Sequence, residues 1–276
     1  MTRDMTADTT TGTTTDTTAD TTADTTAGTV AGRAFEVTWE GELPASPQEV
    51  WEAFTLHTTG WYWEIDYEPR AGGAERGLTG KGGVVSVWEP PRHFTTRTVP
   101  GADEFNELDY RLRPTPRGTL LTLTHRGVIA GDDYDTELDA CRRHTALYYH
   151  SLGEYLRHFP GRDAAYLRLD APGGSASGGF ARLRRALGVP DGIEAGDPVR
   201  LTPAGLGPIE GVADFVAPAF LGVRSADALH RFYGRDAWGW PVGVAHHLFA
   251  GDADAEAARR AWAAWLDDVF TSEREA

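Results

Sequence analysis

The first half of the chain concentrates aromatic side chains that could line a pocket for a small molecule. These are Trp61, Trp63, Trp88, Tyr110, Tyr148 and Tyr149. Their rings offer apolar area, and a tyrosine hydroxyl can orient a polar group of a ligand. Rings of this size also fill the core of a small domain, so each member of the set has a core-filling alternative. We predict that the six residues, together with His125 and Leu152, bind an apolar or aromatic molecule.

The spacing of the histidines does not indicate a metal site. His150, Glu154 and His158 recur every four residues on one face of a predicted helix, but two full turns separate the histidines. We interpret this face as solvated. His246 and His247 are neighbours in a strand pattern, where adjacent side chains point to opposite sides of the sheet. We therefore predict no metal.

His125 is the candidate for acid or base chemistry, because the motif Thr-His-Arg-Gly places it at the end of the predicted sheet. A hydrogen-bonded structural histidine is the alternative. The chain has no Gly-x-Ser-x-Gly elbow, and Gly80-Lys81-Gly82-Gly83 lacks the Ser or Thr that follows the lysine of a phosphate-binding loop. We interpret that segment as a hairpin and predict no catalytic residue and no cofactor, ATP included.

The composition limits the cellular compartments and the classes of binding partner that we expect for this protein. A net charge of -15 repels phosphate backbones and anionic lipid surfaces, so we expect neither nucleic acid nor membrane as a partner. Apolar runs end well short of the roughly 20 residues of a membrane span. No charged start precedes an apolar stretch and a small-residue cleavage site, so no secretory signal is expected. The single cysteine, Cys141, cannot form an internal disulfide, and we predict a cytoplasmic protein.

Residues 1–33 repeat Thr, Ala and Asp with almost no large apolar side chain. Such a segment cannot bury enough surface to offset the entropy of ordering it. We predict a disordered tail, with order beginning at Phe35.

The spacing of apolar residues predicts the strands and helices of the first half. A strand begins at Phe35, and Ser46 with Glu49 predicts a capping box for a short helix. Apolar residues at spacings of three and four predict a long helix over 134–158. Further antiparallel strands are predicted over 63–69, 83–89, 93–99, 105–113 and 119–129.

The second half repeats this order of elements. A strand near Tyr166 and a short helix over 180–187 precede a set of strands, and a helix over 253–270 ends the pattern. The predicted strands cover 198–202, 208–217, 219–224, 228–233 and 241–249. Because the order is the same while the residues differ, we infer a degenerate tandem copy.

Four motifs of the first half resemble the SRPBCC superfamily, and within it the AHSA-type homologues of the activator of heat-shock-protein-90 ATPase. They are residues 46–54 (SPQEVWEAF), 87–92 (VWEPPR), 118–127 (GTLLTLTHRG) and 151–156 (SLGEYL). The resemblance implies an α+β helix-grip fold, in which a curved antiparallel sheet wraps around a long C-terminal helix. It covers residues 34–161 as a first domain, and residues 165–276 are similar to a degenerate second copy.

The resemblance also implies a cavity between sheet and helix that holds a small apolar molecule. We expect non-catalytic binding of a hydrophobic or aromatic small molecule. One alternative is a protein-interaction module of the chaperone-regulator type, which needs a collapsed cavity and an exposed apolar patch. Another is an enzyme of the polyketide cyclase or aromatase kind, which needs His125, a tyrosine and a carboxylate to converge on one cavity.

Overall fold

The computed structural model describes residues 32–78, 82–98, 105–129 and 132–271. These ranges contain two antiparallel β-sheets and four α-helices. Almost all of the predicted disordered tail lies outside the described residues, as do Gly80 and Lys81 of the predicted hairpin. Within the described ranges, no helix is both long enough and apolar enough to cross a membrane.

The first sheet has seven strands in the order β1-β7-β6-β5-β4-β3-β2, so that the first and last strands of the unit are neighbours. They are β1 (Arg33–Leu43), β2 (Asp66–Tyr67), β3 (Ala74–Arg76), β4 (Gly83–Glu89), β5 (His93–Thr98), β6 (Asn106–Thr115) and β7 (Gly118–Ile129). The strand predicted over 63–69 is reduced to β2, because the residues before it form a loop that is tied to the preceding helix by the Trp61 indole, which donates to the carbonyl oxygen of Ala53 at 2.9 Å.

Two helices accompany this sheet. Helix α1 (Pro47–Thr55) begins with the predicted capping box, in which the Ser46 hydroxyl accepts from the Glu49 amide and the Glu49 carboxylate accepts from the Ser46 amide. Helix α2 (Tyr134–His158) follows β7 and has the bounds that the periodicity predicts. Its buried Leu152 and Tyr155 face the first sheet, where they join the core that also contains Leu121 and Leu123.

The second sheet has six strands in the order β8-β13-β12-β11-β10-β9. They are β8 (Ala165–Asp170), β9 (Pro198–Leu201), β10 (Ile209–Ala217), β11 (Phe220–Arg224), β12 (Ala228–Tyr233) and β13 (Gly243–Leu248). Helix α3 (Gly179–Ala186) follows the first of them and α4 (Ala255–Thr271) follows the last. This is the path of the first sheet with one strand fewer, so the chain is an α+β protein with two tandem helix-grip units.

Helix α2 is buried on two faces, because the second sheet packs against the side that its own sheet leaves uncovered. The residues of this outer face recur at alternating steps of four and three, and all are buried: Ala140, His144, Leu147, Ser151 and Glu154. Leu147 lies in a cluster with Ala219 and Phe220 of the second unit. The two units therefore share α2 as a common element of their packing.

The solvated face predicted for His150, Glu154 and His158 is wrong for Glu154, whose side chain is 9% exposed. Its carboxylate accepts from Arg224 Nε of β11 at 2.8 Å, and Arg157 Nη1 on α2 lies 2.6 Å from it. The spacing alone cannot reveal this burial, since the covering sheet comes from residues about 70 positions further along the chain.

A buried ion pair joins the second sheet to α2. Arg231 on β12 and Asp214 on β10 have side chains that are 1% and 3% exposed, and Arg231 Nη1 donates to both carboxylate oxygens at 3.0 Å. Arg231 Nε also donates to the Ser151 hydroxyl on α2 at 2.7 Å. Gly222 leaves room for the pair, because a Cβ at that position would collide with the Asp214 carboxylate. Water cannot solvate either charge, so each depends on the other.

Replacing Arg231 by methionine should lower the free energy of unfolding by about 3–5 kcal/mol, because Asp214 is left as an uncompensated buried charge. Urea denaturation followed by circular dichroism measures this loss. Adding Asp214→Leu to the variant should restore part of the stability.

Arg200→Met is the matched control, since Arg200 pairs with Glu210 at 3.1 Å on the surface, with both side chains more than 60% exposed. Its loss should stay within about 1 kcal/mol. Equal losses for Arg231→Met and Arg200→Met would contradict the role given to the buried pair.

Five histidines are buried, and burial lowers the pKa of each. The pKa falls to about 3 for His125 and His247, to about 4 for His144 and His230, and well below its ordinary range for His246. The cause is loss of hydration for the charged imidazolium. His230 and His246 lie between the second sheet and α4, with ring centroids 4.8 Å apart.

Stability should therefore fall as the pH falls below about 6.5, the pKa of an unfolded histidine. Unfolded histidines take up protons there while the buried ones stay neutral, so each contributes a slope of up to about 1.4 kcal/mol per pH unit. The stability that the neutral histidines contribute is fully present above pH 6.5. It is lost as the pH falls from there to the pKa values of the folded protein. Urea unfolding between pH 7.5 and 5 measures the slope, and His246→Leu should reduce it by about one proton.

Phe232→Leu is a control in the same core, because Phe232 packs on His246 with ring centroids 5.4 Å apart and does not titrate. It should lower stability by a similar amount at every pH. A pH-independent free energy of unfolding for the unmodified protein would contradict the buried neutral histidines.

Candidate ligand-binding site

The space between the first sheet and the inner face of α2 is filled by aromatic side chains. Phe94 stacks on Tyr110 with centroids 5.6 Å apart, and Phe54 lies 4.7 Å from Tyr110. The cavity that remains among these rings measures about 10 Å³. Since a cavity of this size holds no more than one water molecule, the space among Phe54, Phe94 and Tyr110 has no room for a ligand.

A larger cavity of about 390 Å³ lies on the outer side of α2, where the helix meets the second sheet. Its volume is within the range of small-molecule sites, which runs from roughly 300 to 1,000 Å³. Both units contribute to its walls, so the cavity depends on how they pack.

The first unit supplies four aromatic rings to this cavity. Trp61, Tyr62 and Trp63 come from the loop after α1, and Tyr148 comes from α2. The ring of Tyr62 stacks on Trp63 with centroids 3.6 Å apart and meets Tyr148 edge-on at 4.7 Å. These contacts hold the loop against the helix and fix the orientation of the rings.

The second unit supplies the opposite wall. Tyr166 and Arg168 alternate with Leu167 along β8, so the two polar residues share the cavity face while Leu167 points into the core towards α4. Tyr233 at the end of β12 and Trp240 in the following loop complete the aromatic lining.

Two arginines face the cavity, and they differ in their partners. Arg235 donates to the Asp170 carboxylate and, through Nε, to the carbonyl oxygen of Pro241 at 3.0 Å. Arg168 Nη2 lies 3.9 Å from the same Asp170 carboxylate, which is beyond hydrogen-bonding distance. Two cations thus share one carboxylate at this end of the cavity.

The histidines of the cavity wall carry no charge at neutral pH. Burial lowers the pKa of His144 to about 4 and that of His247 to about 3. His144 Nδ1 lies 2.7 Å from the carbonyl oxygen of Ala140, and His247 Nδ1 lies 2.7 Å from that of Thr59. A carbonyl only accepts, so both imidazoles donate from Nδ1. The positive charge at the wall therefore comes from the arginines.

Three of the eight predicted binding residues line this cavity, namely Trp61, Trp63 and Tyr148. The other five lie on the inner side of α2 or within the first sheet. Tyr149 donates its hydroxyl hydrogen to the Tyr110 hydroxyl at 3.2 Å, and Leu152 is fully buried beside them. Trp88 packs edge-on against Trp51 with centroids 5.0 Å apart. Ligand contact by any of the eight stays a prediction.

His125 does not reach the cavity. Its Nε2 is hydrogen-bonded to the Asn106 side-chain oxygen, and its Nδ1 lies 3.3 Å from the Cys141 sulfur. Burial lowers the pKa of His125 to about 3 and raises the pKa of the Cys141 thiol. Imidazole and thiol are therefore both neutral, and the arrangement does not activate the sulfur as a nucleophile. Cys141 nevertheless lies at the cavity wall.

Sequence reasoning missed the second wall, above all Tyr166, Arg168 and Tyr233. The alternation along β8 was a usable signal, because its polar residues fall on one face of a strand whose other face is apolar. Only the fold shows that α2 covers this polar face. Among the described residues, no group of three or more His, Cys, Asp or Glu side chains could hold a metal ion.

Comparison with known proteins gives a family for the first unit. Residues 44–157 match the family model described as Activator of Hsp90 ATPase homolog 1-like protein. No curated protein matches the chain.

Solved structures match the chain over less than half its length. The crystal structure of CalU16 from Micromonospora echinospora is 27% identical, over 46% of this chain and 78% of that one, with a TM-score of 0.37. Protein MLL2253 from Mesorhizobium loti is 20% identical, over 45% and 98%, with a TM-score of 0.39. The Aha1 dimer from Colwellia psychrerythraea is 18% identical, over 44% and 96%, with a TM-score of 0.37.

The family match begins just before the α1 capping box and ends at the last turn of α2, so it covers the elements of the first unit except β1. The first unit of this chain is therefore similar to the Activator of Hsp90 ATPase homolog 1-like family over residues 44–157.

Proposed function

We propose that the protein binds a hydrophobic or aromatic small molecule, without catalysing a reaction on it, in the cavity between α2 and the second sheet. The observation that carries this proposal is the contrast between a space inside the first unit and the space on the outer side of α2. The inner one is about 10 Å³ and is filled by the protein's own rings, whereas the outer one is about 390 Å³. The site thus differs from the space between sheet and helix that the family resemblance implies.

The chemistry of the walls supports an aromatic ligand. Seven tryptophan and tyrosine side chains face the cavity, four from the first unit and three from the second. Flat rings present both faces and edges to an aromatic guest, and each such pair adds about 0.5–1.5 kcal/mol beyond the area buried. Binding at the boundary would also tie the two units together, since the ligand would contact both.

The alternatives have less support. A chaperone-regulator module needs an exposed apolar patch, and Leu56 is the one strongly exposed large apolar side chain among the described residues. A cyclase-like enzyme needs His125 at the cavity, but His125 is occupied by Asn106 and Cys141. We propose the cytoplasm as the compartment, because the single cysteine is free and buried.

Tyr148→Ala should weaken the binding of N-phenyl-1-naphthylamine, a neutral aromatic probe that fluoresces in apolar surroundings, by about tenfold or more. The variant removes one ring from the cavity wall and leaves the inner core in place. Fluorescence titration of the folded protein measures the dissociation constant.

The neighbouring Tyr149 provides the matched control, because it lies on the inner side of α2. Tyr149→Ala should lower the free energy of unfolding by about 3–5 kcal/mol while the affinity of the folded protein changes less than about threefold. If that variant does not fold, Tyr149→Phe removes only the hydroxyl that donates to Tyr110 and serves in its place. A larger loss of affinity in the Tyr149 variant than in Tyr148→Ala would contradict the proposed site.

A further inference from the structure

Arg168 is a cation at the cavity wall that lacks a hydrogen-bond acceptor of its own. Its side chain is 28% exposed, and its nearest carboxylate, that of Asp170, is 3.9 Å away and already bound by Arg235. Across the described residues, no acceptor lies within hydrogen-bonding distance of its guanidinium group. A guanidinium has five N–H donors, and holding a charge out of water is costly when these donors are unmet.

The other arginine at the centre of this boundary, Arg231, has a carboxylate of its own within hydrogen-bonding distance, although its Nη2 has no partner among the described residues. Arg231 binds Asp214 through two hydrogen bonds and Ser151 through a third. Arg168 differs from it in having its donors directed to the cavity wall and in sharing its only carboxylate. The cavity therefore has an uncompensated positive charge at this end.

Three tyrosines surround the same charge. The hydroxyl groups of Tyr148, Tyr166 and Tyr233 have no hydrogen-bond partner in the part of the chain that the structure describes, and all three residues line the cavity. Burial raises the pKa of each, so the hydroxyls remain protonated and can donate. Tyr166 lies two residues before Arg168 on the same face of β8, and Tyr148 and Tyr233 line the same cavity.

Three acidic residues line the described wall, and two of them lie away from Tyr148, whereas the third, Asp170, is bound by Arg235. Asp133 and Glu137 belong to the start of α2, and at 1.5 Å per residue their Cα atoms are about 22 Å and about 16 Å from that of Tyr148 along the helix axis. Tyr148 is thus separated along α2 from the carboxylates of Asp133 and Glu137, and Asp170 is shared by Arg235 and Arg168. The net charge of -15 acts mainly through solvent, where salt screens it over about 8–10 Å.

We propose that the ligand is an aromatic anion, and that Arg168 and the three tyrosine hydroxyls bind its carboxylate, sulfonate or similar acidic group while the surrounding rings bind its body. This inference rests on the proposed function, because it assigns a ligand class to the same cavity. Arginine suits this role, since its planar donors match the geometry of such acidic groups.

Two fluorescent probes that differ in charge test the proposal. 8-Anilinonaphthalene-1-sulfonate carries a sulfonate on the same N-phenylnaphthylamine skeleton as the neutral N-phenyl-1-naphthylamine. Each is titrated into the full-length protein and into Arg168→Met, and competition between the two probes establishes whether they share one site.

Arg168→Met should weaken the sulfonate probe at least about tenfold more than the neutral probe, because methionine keeps the apolar stem and removes the charge and its donors. Arg168→Lys keeps the charge and should retain part of the preference. Arg200→Met, which changes an exposed arginine on β9 away from the cavity, should change neither affinity.

Failure of the inference and failure of the proposed function give different results. If both probes bind and compete but Arg168→Met affects them equally, or affects neither, the anion site is overturned and small-molecule binding stands. If neither probe binds the unmodified protein saturably, both are overturned. If Arg168→Met still binds the sulfonate probe more tightly than the neutral probe by the original factor, the anionic group binds at another site, and the inference is overturned.

Discussion

The burial of α2 on both faces is the constraint on which the rest of the structure depends. Its inner face completes the aromatic core of the first sheet, and its outer face meets the second sheet through Leu147, Ser151 and Glu154. A helix shared in this way cannot move against one unit without disturbing the other. The cores meet as well, since Phe249 from the second unit stacks on Phe159 with centroids 4.1 Å apart. The shape of the cavity depends on this packing, because its walls come from both units.

Several charged and polar side chains are buried where α2 meets the second sheet, and most of them have partners there. Arg231 and Asp214 neutralise each other, Glu154 is held by arginines, and His144 and His247 stay neutral. Arg168 has no such compensation. A cation at a cavity wall without a hydrogen-bond acceptor of its own can bind a group of opposite charge, and the proposed ligand class rests on this feature of the packing.

Much of the fold was predictable from the sequence, whereas the site was predictable only in part. The apolar inner stripe of α2 and the alternation in β6 are periodic patterns, and such patterns can be detected in a sequence. The repeated order of elements predicts two units. The outer stripe of α2 mixes Ala, His, Leu, Ser and Glu, so it carries no apolar signature. Trp61, Trp63 and Tyr148 were predicted because aromatic rings are conspicuous. The alternation along β8 could have placed Tyr166 and Arg168 on one face, but not at a cavity, because the helix that covers this face comes from the other unit.

A crystal structure of the protein with N-phenyl-1-naphthylamine bound tests the central claim most directly, because it locates the ligand relative to α2. Our account predicts electron density on the outer side of the helix, between Tyr148 and the second-sheet residue Tyr166, with the inner core unchanged. Density on the inner side, among Phe94, Tyr110 and Tyr149, would contradict it. That result would mean that the first unit opens its aromatic core to bind and that the second unit serves only to cover the helix.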